Sequence, residues 1–483
     1  MLKKLDQRGW VIVAGAVFSI AGLFLTLLLA NENQLGSLLF PIFLLVAWGA
    51  AGALVWWLLQ RRGVVLRVLN GAAAGALVGL AFHPIFWLLF SIFSLFTDAE
   101  KQALDLELNV LSALVFWPIA SLVSIITLGW LTSLVGGVIG GILGFLNRRA
   151  QTDMSEKPAL RRALRITGTV ITVLAVIMLV IGVVPAPTTG LESRPNPATD
   201  FAGGLARLEA IRADEDAQPL LPECRTQWKT HDRRTEKAIV FYHGLANCPA
   251  QFGPLADVFF ERGYNVIIAR HPYHVFADRD PSHLASLTAA GYRDMADASI
   301  DAAHGLGEQV FIVGLSGGGT VAAWAAQYRA DVTRSVMLAP FYGSGFMPGF
   351  VNRLGVNILT RIPKITLPGA TVIPYAYPGN NTRAMGETML LGEAVTRLAG
   401  NIKPATTSVA LLYNENDRTV NNAMARNVMN AWATTGITPE IYVMPASLGL
   451  PHDIIDLNQE VKNPDLVYTA VVDIVEGRQP TLE

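Results

Sequence analysis

Ser316 stands in Gly314-Leu315-Ser316-Gly317-Gly318, a G-x-S-x-G string. A serine in such a string can act as a nucleophile when a strand leads in and a helix leads out. The tight turn then holds the residue in a strained backbone conformation, with its hydroxyl projecting from the sheet. Both neighbours are present: the apolar run Gln309-Val310-Phe311-Ile312-Val313 precedes the string, and the helix-forming stretch from Thr320 to Ala326 follows it. Gly314 and Gly318 fit a place where strand and helix pass too closely for side chains. A glycine-rich turn with a solvated serine is the plainer alternative, and it has no need of this context.

A serine hydroxyl is a weak nucleophile and needs a general base, which in turn needs an orienting carboxylate. Of the eight histidines, His452 alone lies after Ser316. It follows a predicted last strand, Glu440-Ile441-Tyr442-Val443-Met444, in a loop rich in Gly, Pro and Ser, and it is the candidate base in the chain order Ser, acid, His. The acid is expected after the strand Ser408-Val409-Ala410-Leu411-Leu412-Tyr413, where Asp417 and Glu415 compete. Asp417 is preferred, because that loop must reach the His loop before a helix from Asn421 turns away; its alternative role is only to cap that helix. An oxyanion needs two N–H donors. Gly317, next after the nucleophile, supplies one. The other is assigned to Leu245, where His243-Gly244-Leu245 ends the strand from Lys237 to Tyr242. His243 is read as a structural hydrogen-bonding group.

These four ordered motifs resemble the α/β-hydrolase superfamily over residues 236–456, and the His243-Gly244-Leu245 pattern is similar to bacterial carboxylesterases and related lipase-like or prolyl-peptidase-like members. The resemblance implies a mostly parallel sheet with flanking helices, a cap inserted after the sixth strand, and acyl-enzyme chemistry on esters that uses no cofactor and no metal. One stretch departs from the pattern. Where such enzymes often carry a glycine-rich loop, this chain reads Arg270-His271-Pro272-Tyr273-His274.

What precedes the hydrolase pattern is a different kind of polymer. The chain has 483 residues, 52% hydrophobic and 16% charged, a length that allows two or three domains. Net charge is −1, which gives no reason to expect a nucleic-acid partner. The excess hydrophobicity lies before residue 185, in uncharged runs at 10–30, 35–59, 68–96, 108–146 and 166–184. The first, second and fifth fit single membrane helices. The run at 108–146 is too long for one simple span, and Trp117-Pro118 offers a break into an interfacial piece plus one crossing. His83-Pro84 offers a similar break in 68–96, with His83 either a functional group within the membrane or a satisfier of backbone freed by the proline.

Lys3, Lys4 and Arg8, then Arg61, Arg62 and Arg67, then Arg148, Arg149, Lys157, Arg161, Arg162 and Arg165 alternate with neutral or acidic links. By the positive-inside tendency this predicts about five crossings, with the N-terminus cytoplasmic and the hydrolase extracytoplasmic. Gly71, Gly75 and Gly79, and Gly136, Gly140 and Gly144, recur every four residues, the spacing of close helix contact in a compact bundle or a dimer face. No acidic residue lies in a span, which argues against an ion-coupled transporter.

The chain therefore divides into an all-α transmembrane domain at 1–185, a linker and packing helix at 186–222, and an α/β-hydrolase domain at 223–483 with a cap at about 341–400. Cys224 and Cys248 both fall in the last, and outside the cytoplasm they can pair and brace the loop of Leu245. The expected partners are the lipid bilayer and a small-molecule or lipid ester. Cleavage of carboxylic esters is the favoured reading. Transfer of the acyl group to an alcohol, and a membrane scaffold with an inactive hydrolase fold, are the other two.

Overall fold

The computed structural model describes residues 7–29, 39–62, 64, 66, 68–94, 110–147, 158–369, 373–406, 408–458 and 463–482. The basic residues Lys3, Lys4, Arg67, Arg148, Arg149 and Lys157, and the links at 31–34 and 97–107, lie outside them. The chain forms two compact units, Met1–Val184 and Pro185–Glu483.

The first unit is built from helices at Gln7–Leu29, Leu39–Arg61, Val68–Ser94, Val110–Asn147 and Pro158–Val183. Among the described residues, four stretches are long and apolar enough to cross a membrane by length and composition: Phe43–Arg61, Val68–Ile92, Leu128–Leu146 and Arg162–Val183. Arg8–Gly22 is a shorter apolar helix. Large apolar side chains face outward, as with Ile12, Val138, Ile166 and Leu174, while Trp10, Phe18, Trp48 and Phe82 pack inside.

The helices at Val68–Ser94 and Val110–Asn147 meet backbone to backbone. A Cβ on Gly71 would run into the carbonyl of Gly140, one on Gly75 into that of Gly136, and one on Gly79 into that of Thr132. The small-residue rows thus serve packing within one chain. The two proline breaks are not made: Pro84 and Pro118 both lie inside continuous helices. Apolar surroundings favour keeping every other helical hydrogen bond, so one missing N–H does not end the helix. His83 is also not turned to its own backbone. Its Nδ1 lies 2.6 Å from Ser124 Oγ and its Nε2 2.9 Å from Thr132 Oγ1, both on the facing helix.

The second unit centres on a seven-stranded sheet. In chain order its strands are β1 (Gln227–Lys229), β2 (Thr235–Tyr242), β3 (Asn265–Ala269), β4 (Gly307–Leu315), β5 (Arg334–Leu338), β6 (Val409–Asn414) and β7 (Glu440–Met444), and they lie side by side as β1-β3-β2-β4-β5-β6-β7. All neighbours are parallel except β1 with β3. The middle strands are continuous apolar runs, such as Ala238 to Tyr242 and Val310 to Val313, because helices cover both faces of a parallel sheet. In this register the C-terminal ends Tyr242, Leu315, Leu338, Asn414 and Met444 share one edge, where ligands of open α/β sheets bind.

The long insertion lies between β5 and β6. It carries a helix at Gly349–Leu359, a short hairpin of Thr366–Pro368 with Gly379–Asn381, and a helix at Thr382–Ala399 that packs on the helix after β4, Gly317–Tyr328. The packing helix spans Phe201–Asp216, capped by Asp200, and lies against the helix Ala289–Leu306 where Gly204 and Gly305 leave room.

The Pro/Thr/Asn stretch before it is not a free linker. Ala186 N–H donates to Asn357 Oδ1 (2.7 Å), Arg194 N–H to Asp297 Oδ2 (2.7 Å) and Asn196 N–H to Asp301 Oδ2 (2.9 Å). Trp324 Nε1–H donates to the Leu191 carbonyl (2.7 Å).

Candidate active site

Ser316 has φ 55° and ψ −114°, a conformation that L-residues avoid. What imposes it is contact on both sides of the turn. A Cβ on Gly314 would strike the carbonyl of Gly318, and one on Gly318 would strike those of Tyr242 and His243. The Ser316 backbone is also tied to the next strand, its N–H donating to Leu338 O (2.9 Å) and its carbonyl accepting from Phe341 N–H (3.0 Å). Strain held by this many neighbours is the kind that functional sites retain. The Ser316 hydroxyl makes no hydrogen bond among the described residues, and a nucleophile–base contact often closes only when substrate arrives.

Two N–H groups lie beside it. An ideal Cβ on Gly317 would sit 3.2 Å from Leu245 N, so these donors belong to touching segments. Leu245 N–H has no protein acceptor among the described residues. The turn that presents it is held from below. His243 Nε2 accepts from His271 N–H (3.0 Å), which leaves Nδ1–H to donate to Gly244 O (2.9 Å). Asn247 N–H donates to the same carbonyl (3.1 Å). Burial first, then the neighbouring His274, lowers the His243 pKa well below its usual value, so the ring stays neutral in this role. The departing stretch at 270–274 closes around it. His271 stacks on His243 with ring centroids 3.9 Å apart, and burial holds His271 and His274 neutral as well.

Asp417 and His452, in the loops after β6 and β7, meet at the same edge of the sheet. Asp417 is 2% exposed, and its Oδ2 lies 2.7 Å from His452 Nδ1 while its Oδ1 accepts from Thr419 N–H (2.9 Å). Glu415 is turned away: its Oε2 accepts from Ala446 N–H (3.1 Å). Nor is Asp417 the helix cap. Asn421 caps Asn422–Ala433, its side chain accepting from Met424 N–H (3.1 Å).

Cys224 and Cys248 are joined in a disulfide three residues beyond Leu245. The insertion reaches both halves of the site, with Tyr377 N–H donating to Ala246 O (2.8 Å) and Gly345 N–H to Thr419 O (3.1 Å). Two further residues escaped the sequence reading. Gln251 and Asp453 are buried polar groups bonded to each other between the Gly244-Leu245 turn and the His452 loop. The signal available for them was an aspartate directly after the candidate base.

Residues 233–383 match the family described as serine aminopeptidase, S33. The thermostable monoacylglycerol lipase of Bacillus sp. (strain H-257) is 24% identical over 134 residues, covering 25% of this chain and 51% of that protein. The chain thus spans about half the length of that curated relative. Among solved structures, one of the metagenome-derived lipolytic enzymes LipS and LipT is 18% identical, covering 54% of this chain and 100% of its own, with a TM-score of 0.43. The monoacylglycerol lipase of Paleococcus ferrophilus is 19% identical, covering 52% and 98%, with a TM-score of 0.42. With its elbow, its parallel sheet and this family match, the second unit of the chain has the α/β-hydrolase fold.

Proposed function

We propose that this protein is a membrane-embedded serine hydrolase that cleaves carboxylic esters of lipids, with monoesters of glycerol as the substrate class. The observation that carries the reading is the constellation on one sheet edge: a strained Ser316, two N–H groups beside it, and His452 paired with a buried Asp417. Ser316 Oγ attacks the ester carbonyl as His452 Nε2 takes its proton. Leu245 and Gly317 N–H groups hold the oxyanion, and Asp417 orients the ring and stabilises its charged form. His452 then protonates the leaving alcohol, and water releases the acid by the same steps in reverse.

The lipid class is supported by the relationship to a monoacylglycerol lipase and by helices long and apolar enough to cross a membrane. Placement of the hydrolase outside the cytoplasm is supported by the disulfide, a bond that oxidising compartments favour. Ser316→Ala in the full-length protein is expected to abolish labelling by a fluorophosphonate probe and to lower monoacylglycerol turnover by roughly 10³- to 10⁶-fold, with the fold intact. Turnover close to wild type in that variant overturns the assignment.

A further inference from the structure

Gly244 has no side chain to restrict its backbone, yet the direction of the Leu245 N–H depends on it, because the Gly244 carbonyl and the Leu245 N–H share one rigid peptide plane. The carbonyl is fixed by His243 and Asn247. The other side of Gly244 is fixed by one group: its N–H donates to Gln251 Oε1 (2.8 Å). Gln251, 2% exposed, is itself held. Its Nε2–H donates to Asp453 Oδ2 (2.5 Å), 202 positions away in sequence and adjacent to His452. Asp453 Oδ1 then accepts from Ile455 N–H (3.0 Å) and Asp456 N–H (3.1 Å).

We propose that Gln251 and Asp453 are positioning residues that join the oxyanion turn to the general-base loop, fixing the Leu245 donor relative to His452. This rests on the reading of Ser316, Leu245 and His452 given above. The amide orientation is dictated by its surroundings, since the Gly244 N–H needs an oxygen and the Asp453 carboxylate needs a donor. Burial, then repulsion from Asp456, raises the Asp453 pKa, and the Gln251, Ile455 and Asp456 donors oppose that rise. Cutting the strut leaves Gly244 with one restraint fewer beside the oxyanion, where removing a whole donor typically costs about 10²- to 10³-fold in turnover.

The polarity of the strut can be reversed, which gives the test. Gln251→Glu alone opposes two carboxylates, and Asp453→Asn alone opposes two donor groups. In the double variant every hydrogen bond returns. The carboxylate introduced at position 251 would accept from Gly244 N–H and from the amide introduced at position 453, whose oxygen keeps the Ile455 and Asp456 donors. Each single variant of the full-length protein is expected to lose about 10- to 100-fold in kcat with little change in KM, part of the cost of a lost oxyanion donor. The double variant is expected to return to within a few-fold of wild type. A role in stability alone would lower melting temperature and leave kcat of the folded protein unchanged.

Single variants with wild-type kcat, or a double variant no better than the worse single, overturn the strut. Gln251→Met, which keeps the shape and loses both bonds, replaces any charged variant that does not fold and carries the same expected loss. Amide exchange of residues 243–252 is followed alongside: Asp453→Asn should speed it and the double variant should restore it. If wild-type Ser316 resists the fluorophosphonate probe, the nucleophile assignment falls, while exchange still decides whether the two loops are joined.

Discussion

In the helical unit Gly71, Gly75 and Gly79 let one helix lie directly on the carbonyls of another, and in the hydrolase unit Gly314 and Gly318 let a strand and a helix do the same. The first contact is repeated turn after turn along two continuous helices and stores no backbone strain, since both partners keep helical geometry. The second is made once, and the residue between its glycines is forced to φ 55°. Close approach is thus a way of packing in one unit and a way of holding a reactive conformation in the other. The difference lies in what stands between the glycines: in the hydrolase turn, a change from strand to helix with Ser316 at its middle.

The largest effects should come from breaking what the strained turn serves. Asp417→Asn is expected to lower ester turnover by roughly 10⁴-fold, as the wrong imidazole tautomer is then favoured, while Glu415→Gln stays within several-fold of wild type. The reverse ranking in steady-state kinetics would move the acid to Glu415. Next is the bridge beside the same turn. Replacing Cys224 and Cys248 by Ser should cost about 3–4 kcal/mol in the chain-entropy account of a loop near this length. Denaturant unfolding of the hydrolase measures it. Mass spectrometry of thiol-blocked, non-reduced protein checks the compartment as well, since two alkylatable thiols would argue against placement outside the cytoplasm.

The smallest change sharpens the comparison between the two glycine contacts. Gly318→Ala and Gly75→Ala each place one methyl group against backbone carbonyls, and each should destabilise its own unit by about 1–3 kcal/mol, the usual cost of overpacking. Only the first should also reduce turnover of a water-soluble ester, because only that contact shapes Ser316. Equal losses of turnover would mean that the helical packing also supports catalysis.

The placement of Ser316, His452 and Asp417 at one edge was legible because each follows its own apolar strand, and a parallel sheet delivers all such loops to one edge. That Asp417 and not Glu415 meets His452 follows from the reach of a short loop. Partners set by tertiary packing were not legible. His83 meets hydroxyls 41 and 49 positions away, and Gln251 meets a carboxylate 202 positions away. A proline in an apolar run looks like a break, yet the helices at Val68–Ser94 and Val110–Asn147 run on through Pro84 and Pro118. The hairpin of Thr366–Pro368 and Gly379–Asn381 is too short to show a period. A segment rich in Pro, Thr and Asn reads as a linker whether or not its N–H groups find carboxylates elsewhere.

That last segment decides where the second unit, freed from its helices, must begin. Arg329 is fully buried among Asp297, Asp301 and Asp331, and Asp297 and Asp301 also receive the N–H groups of Arg194 and Asn196. One set of carboxylates neutralises the core arginine and anchors the residues that enter the fold first. A polypeptide started at Pro185 keeps this anchorage, and it should melt as one cooperative body. One started at Asp200 would strip two aspartates of backbone donors, deprive Trp324 of its acceptor and uncover the apolar seat of Leu191, and its thermal midpoint should be lower. The beginning of the folded body is thus set by hydrogen bonds at residues that look, by composition, like its leash.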